Sequence, residues 1–147
     1  MVQPAFAIEL NIRDSELINR IHSYFGAGIL VINKSKNSIA FSVQSTKILK
    51  KVIIPHFEKY PLLTQKRADF ELFKLAVELI SRKEHLTIEG LRKIVAIRAS
   101  MNKGLTDTLK DAFPGIIPVQ RPTIDYQGIP DPYWLVGFTE AEGCFLV

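Results

Sequence analysis

The chain has 147 residues, of which 47% are apolar and 23% are charged, and this globular composition excludes a disordered chain. Its net charge of +4 at pH 7 permits an anionic partner without establishing one. A single cysteine, Cys144, excludes an internal disulfide framework and a cysteine-built zinc site, and the lack of a run of 18 apolar residues argues against a membrane span. We therefore expect one intracellular globular domain that buries its own core.

Three segments have the patterns of short strands. They span residues 5–13, 29–33 and 38–45, and a polar turn at 34–37 makes the last two a hairpin. In the first and third segments, apolar side chains alternate with short or polar ones, as they do in half-buried strands. The sequence thus predicts a small antiparallel sheet with an apolar face, which helices must cover, and a polar face.

The remaining segments are predicted to be helices joined to a late linker. Helical spacing predicts helices over 15–25, 46–57, 65–81, 88–101 and 106–116, and Pro55 is expected to interrupt the second of them. Four of the eight prolines fall in residues 117–132, which indicates a linker. Asp131 and Pro132 suit the start of a helix over 133–142, with a strand opening at 144. This order of elements predicts an α+β fold.

The polar face of the sheet has two interpretations. It is an ordinary solvated face, or it is a docking face for a polynucleotide, because β-ribbons fit the major groove. For the second interpretation, the strand parity predicts these outward, base-facing residues: Ala7, Glu9, Asn11, Arg13, Val31, Asn33, Ser38, Ala40, Ser42 and Gln44. Lys34 and Lys36 in the turn are expected to contact phosphates, whereas Lys66 is expected to be plain surface.

The segment WLVGFTEAEGCF, residues 134–145, resembles the second signature helix of single-chain LAGLIDADG homing endonucleases, W-L-x-G-F-x-x-x-E-G-x-F. HFEKYPLLTQK at 56–66 and KEHLTIEGLRKIVAIRASMNKGL at 83–105 resemble the N-terminal half of the same family. The resemblance implies a LAGLIDADG half-domain, an antiparallel saddle covered by helices. Its core is residues 1–116, the linker is 117–132, and the second signature helix with the start of a strand is 133–147. The first signature helix and strand are expected to lie outside this sequence, so the chain is a fragment, a swapped dimer or a permuted half.

The same resemblance implies site-specific, metal-dependent hydrolysis of double-stranded DNA. By it, Glu142 is the catalytic, metal-binding acid, and the backbone carbonyl near Ala141 adds a ligand. Mg²⁺ is the expected cofactor, and Ca²⁺ is expected to occupy the site without supporting cleavage. Glu140 is expected to be a surface charge. A second chain or a complementary fragment is expected to supply another signature helix, which would meet this one at Trp134, Gly137 and Gly143.

Two other functions stay open. The single acid fits a nucleic-acid-binding module without cleavage, either RNA maturase-like or an inactive fragment. So does Val31, which is apolar near a position where some family halves carry a lysine. A protein that uses the helix at 133–142 only for dimerisation would show no salt-dependent binding of polynucleotides. The resemblance also implies a mitochondrial or other organellar location, although the sequence carries no targeting peptide, and no membrane partner is expected.

Overall fold

The computed structural model describes residues 2–125, 128–142, 144 and 146. Within them, three strands form an antiparallel sheet in the order β1 (Phe6–Asn11), β3 (Ser38–Val43), β2 (Ile29–Asn33). The α-helices of this part of the chain are α1 (Ser15–Phe25), α2 (Thr46–Ile48), α3 (Ile54–Lys59), α4 (Lys66–Ser81), α5 (Ile88–Ser100), α6 (Asp107–Ala112) and α7 (Pro132–Glu142). None of the helices described has the length and hydrophobicity that crossing a bilayer requires.

The sheet confirms the predicted strands and shortens two of them. β1 ends at Asn11 because the side chain of Asn11 accepts a hydrogen bond from the backbone N–H of Arg13, at 3.1 Å, and opens a 3₁₀ turn. β3 ends at Val43, two residues before the predicted limit. Since opposite residues of an antiparallel pair share a face, the register Phe6↔Val43 and Ile8↔Phe41 turns the large apolar side chains to one side.

A compact turn joins β2 to β3. The Asn33 side chain accepts hydrogen bonds from the Lys36 backbone N–H (3.1 Å) and the Ser35 hydroxyl (2.7 Å), and Asn37 takes the left-handed conformation that asparagine tolerates (φ 50°). At the other end of β2, Gly28 has φ 97°, and a Cβ built there would lie 2.6 Å from the Phe41 ring. The hairpin therefore depends on asparagines at one end and on a glycine at the other.

Helices cover the apolar face and build the core. One buried cluster contains Ile18 of α1, Phe41 of β3 and Val77 of α4. It also contains Leu49 and Ile53, which lie between α2 and α3. α4 is also tied to the preceding helical run by two ion pairs, which join Lys50 to Glu78 at 2.7 Å and Lys74 to Glu58 at 2.6 Å. The core is thus a sandwich of one sheet face against helices, as expected for an α+β fold.

Pro55 does not interrupt its helix, so that prediction was wrong. Residues 46–59 form one helical run, in which Leu49–Ile53 is π-helical and the Ile54 N–H bonds the Leu49 carbonyl. Pro55 lies directly after this π-helical stretch, at the start of α3, and because proline has no N–H to donate, a local change of the hydrogen-bond pattern accompanies it. The run begins at a cap formed by Ser45, whose hydroxyl accepts from the Ile48 N–H at 3.5 Å.

An aromatic cluster lies where α1 meets α3. The His56 ring packs edge-on against the rings of Tyr24, Phe25 and Phe57, with centroids 5.0–5.6 Å apart. Burial, with a smaller contribution from nearby Lys59, lowers the pKa of His56. His56 is therefore a packing residue of this cluster, and its lowered pKa favours the neutral ring.

Candidate nucleic-acid interface

The face of the sheet that points away from the helices is a grid of three rows. Each row crosses β1, β3 and β2 in turn, because each β3 residue pairs with a residue on either side. The rows are Ala7–Ser42–Ile29, Glu9–Ala40–Val31 and Asn11–Ser38–Asn33. All predicted outward residues within the strands therefore share one face, here called the outer face.

The outer face forms a trough, which is low along the central strand β3 and higher along the outer strands β1 and β2. Ser38 and Ser42 on the central strand are only 8% and 7% exposed, and the Ser38 hydroxyl donates a hydrogen bond to the Glu9 carboxylate. Longer side chains on β1 and β2 flank this trough. Side chains on the outer strands can reach base edges directly, whereas the serines would contact a ligand through water.

Two of the residues predicted for this face lie outside its strands, and one residue of the face was not predicted. Arg13 lies beyond β1 in the 3₁₀ turn, with its guanidinium 3.8 Å from Asp14, and Gln44 lies beyond β3, where it accepts a hydrogen bond from Gln3 at 3.1 Å. Both strands end earlier than predicted, so neither residue belongs to the grid. Ile29, by contrast, belongs to it and was missed. The parity that selects Val31 also selects Ile29, two residues before it.

The lysines around the sheet differ in their availability. Lys34 and Lys36 are exposed at the tip of the β2–β3 turn, beside the row that ends in Asn33. Lys50 is held by Glu78 and by the Ser81 hydroxyl, on the side of α4. The turn lysines are therefore better placed for phosphate contacts at the rim of the outer face.

Helix α7 begins as predicted. The Asp131 carboxylate accepts a hydrogen bond from the Trp134 backbone N–H at 3.1 Å, and Pro132 occupies the first turn. The Trp134 ring stacks on that of Phe138, with centroids 5.2 Å apart and planes 13° from parallel. Glu142 ends the helix. Its side chain lies outside the described residues, as do Gly143 and, in the predicted strand at 144–147, Phe145 and Val147.

One side of α7 faces the segment that leads into α4. A cleft of about 540 Å³ separates the two and is lined by Leu62, Leu63, Thr64, Lys66, Tyr133, Trp134, Gly137, Phe138 and Ala141. Away from this cleft, Leu135 and Val136 of α7 are exposed, and within the cleft a Cβ built at Gly137 would meet no atom of the described residues within 4 Å. A helix that is apolar around its circumference is normally buried on more than one side.

Lys66 was predicted to be an ordinary surface residue with no role in a site. It is exposed, as predicted, and it opens α4 on the wall of the α7 cleft, whose lining also includes Ala141. Among the described residues its ammonium has no ion-pair partner within 4 Å. No group of three or more His, Cys, Asp or Glu side chains is clustered in this described part either. A metal site here would thus be built from few protein ligands.

Comparison with known proteins decides the family. The model of the LAGLIDADG endonuclease family matches residues 1–77, more than half of the chain. This chain belongs to the LAGLIDADG endonuclease family. The matched region contains the whole sheet, α1 and most of α4, so the outer face and Lys66 are parts of the LAGLIDADG fold.

Curated relatives are intron-encoded proteins. The chain is 48% identical over 145 residues to the probable intron-encoded endonuclease 3 of Neurospora crassa, covering 97% of this chain and 27% of the relative. It is 45% identical over 75 residues to an uncharacterized 50.9 kDa protein in ND4 intron 1 of Podospora anserina, covering 51% of this chain and 16% of the relative. The chain thus spans well under half of each of these two relatives.

Solved structures confirm the fold. The meganuclease I-CpaMI bound to uncleaved DNA is 49% identical, with a TM-score of 0.90 over 95% of this chain and 47% of that one. I-SmaMI bound to uncleaved DNA in the presence of calcium ions is 40% identical, with a TM-score of 0.89 over 95% and 47%. The chain corresponds to about half of each meganuclease.

Proposed function

We propose that this chain is part of a site-specific, divalent-metal-dependent endonuclease that cuts double-stranded DNA. The outer face carries the proposal, because its three rows of short and polar side chains form a trough lined on both sides by groups that read base edges. Lys34 and Lys36 add positive charge at the rim. The similarity to meganucleases bound to DNA supports the same ligand, and the intron-encoded relatives support an organellar, mitochondrial origin.

The proposed cleavage site lies at the end of α7. The last carbonyls of a helix have no partner within the helix, so Ala141 can offer a backbone oxygen, and Glu142 is proposed to supply a carboxylate. Such hard oxygen donors fit Mg²⁺, which keeps several waters and needs few protein ligands, and they also fit Ca²⁺. The chemistry that a bound divalent cation supplies is neutralisation of charge on the attacking and leaving oxygens. Lys66, across the cleft, is a second cation for the phosphate.

Binding and cleavage assays test the proposal. The 147-residue chain is titrated with a randomised duplex DNA library and with duplex RNA at rising salt, and bound DNA is then incubated with Mg²⁺ or Ca²⁺. We expect DNA to be preferred, with affinity falling by about 0.9 log unit per log unit of salt for each phosphate contact. Equal binding of RNA would favour the RNA maturase-like alternative. Binding without Mg²⁺-dependent cleavage, even in a complete assembly, would favour a binding module.

We infer that the active assembly contains a second signature helix packed on α7 near Gly137. The exposed apolar side of α7 and the half-length match to solved meganucleases support this. Light scattering is expected to give a mass above the 16.6 kDa of one chain, either for the chain alone or after an equimolar fragment bearing a signature helix is added. Gly137→Leu is expected to weaken association about 10- to 100-fold, because overpacking costs about 1–3 kcal/mol.

The thermal unfolding of Gly137→Leu serves as its control. No atom of the described residues lies within 4 Å of a Cβ built at this position, so we expect the variant to melt within a few degrees of the wild type. A variant that melts normally and associates as tightly as the wild type would contradict the proposed contact.

Val31 and Ile29 are expected to read thymine. They are 46% and 56% exposed, and they are the branched apolar side chains of the outer face, which suits contact with the thymine methyl group. In a duplex selected by the chain, replacing the contacted thymine by deoxyuridine should weaken binding about fourfold, since one buried methyl is worth about 0.8 kcal/mol. Val31→Ser should bind both duplexes alike. Ile88→Ser, at an exposed position that opens α5, should still discriminate, and equal discrimination by both variants would refute the assignment.

A further inference from the structure

The Arg121 side chain, which lies within the predicted linker, donates hydrogen bonds to three acceptors at two helices. One of its terminal nitrogens donates to the Asp69 carboxylate and to the Ser100 carbonyl, each at 2.7 Å. The other donates to the Gln65 carbonyl at 3.1 Å. These acceptors belong to the start of α4 and the end of α5, so a single guanidinium bridges the two helices and the segment that follows α6.

Further bonds surround this contact, here called the Arg121 clamp. The Asp69 carboxylate also accepts from the Asn102 backbone N–H at 3.1 Å. Val119, two residues before Arg121, donates its N–H to the Ala96 carbonyl at 3.3 Å and accepts from the Ser100 hydroxyl. The segment around residues 119–121, which lies within the predicted linker 117–132, is therefore fixed to α5 by hydrogen bonds.

The energetics favour a rigid clamp. The side chains of Arg121 and Asp69 are both less than one-third exposed, so the pair is shielded more than an ordinary surface ion pair. Charge-assisted hydrogen bonds in a planar fork are stronger and more directional than neutral ones. A lysine has no planar fork and cannot reproduce all three bonds at once.

The clamp is adjacent to the surface on which α7 lies. Gln65, whose carbonyl is held, immediately precedes Lys66, and the stretch from Leu62 to Lys66 forms the wall of the α7 cleft. The same chain that leaves Arg121 leads to the start of α7 at Pro132. The two sides of the cleft are thus connected through one residue.

We propose that Arg121 is a positioning residue that seats α7 against the Leu62–Lys66 wall and so fixes where the end of α7 lies. The role in cleavage rests on the proposed function, whereas the seating of α7 does not. Loss of the fork frees the linker, and α7 then leaves the wall without unfolding the sheet.

Trp134 reports this seating directly. It is the single tryptophan of the chain and lines the cleft with Leu62 and Leu63. In Arg121→Gln, we expect a red-shifted emission and acrylamide quenching about twofold stronger than in the wild type, because the α7 contact opens locally. Arg121→Lys should lie between them. Arg20→Gln removes an exposed arginine that pairs with Glu16 within α1, and it should match the wild type.

Cleavage gives the second readout. At saturating DNA, Arg121→Gln should cut about 10²-fold more slowly, as expected for a displaced reacting group, while its affinity for DNA changes little. Unchanged Trp134 emission and quenching in folded Arg121→Gln would overturn the proposal. If that variant fails to fold, Arg121→Lys decides by the same measurement. If wild-type cleavage is absent, the proposed function fails but the fluorescence result still decides whether Arg121 seats α7.

Discussion

Replacing Glu142 by glutamine is expected to abolish DNA cleavage and to leave DNA binding nearly unchanged. The amide keeps the shape of the side chain but removes the negative charge that is proposed to hold a divalent cation at the end of α7. If the transition state loses about 4 kcal/mol of charge stabilisation, the chemical step slows about 10³-fold. The outer face, which is proposed to supply affinity, is untouched by the change.

Single-turnover cleavage in Mg²⁺ and duplex binding in Ca²⁺ separate the two effects of Glu142→Gln. Both are measured on the assembly in which the wild-type chain cuts. Glu140→Gln is the matched control because Glu140 is an exposed carboxylate two residues earlier on the same helix. It is expected to cleave within about twofold of the wild type, as surface substitutions usually have small effects. A Glu142→Gln chain that cleaves at the wild-type rate would refute the metal role.

The outer face was predictable because strand parity is a local property. Alternation over Phe6–Asn11 and Ser38–Val43 fixes which side chains share a face, whichever helices cover the other side. The ends of the strands were less predictable. Arg13 and Gln44 continue the alternation in sequence, but a side-chain bond from Asn11 and the helix cap at Ser45 terminate the strands first.

Contacts between distant segments escaped prediction. Arg121 binds residues 52 and 21 positions earlier in the chain, and no local pattern in a proline-rich segment announces such partners. The position of Lys66 in a cleft was not predictable for the same reason, because the other residues of that cleft come from α7, far along the chain. The π-helical stretch Leu49–Ile53 before Pro55 was not predicted either, because helical periodicity does not distinguish it from an α-helix.

Phe41→Ala is expected to cause the largest loss of stability among single substitutions in the sheet. Phe41 is 0% exposed, its ring stacks on Phe25 with centroids 5.6 Å apart, and Phe6 packs against its edge. Truncating a buried phenylalanine removes its transfer free energy and leaves a cavity, which together lower the free energy of unfolding by about 3–5 kcal/mol. Urea denaturation followed by circular dichroism measures this change.

Phe138→Ala makes the same chemical change at an exposed site and is the control. Phe138 is 43% exposed on α7, so its truncation should lower the free energy of unfolding by less than about 1 kcal/mol. Phe41 lies on the inner face of β3, opposite the outer face, so Phe41→Ala should weaken DNA binding only through the fraction of unfolded chain. A stabilising osmolyte such as trimethylamine N-oxide should then restore binding to Phe41→Ala. It should not restore thymine discrimination to Val31→Ser, because that variant loses a contact and not the fold.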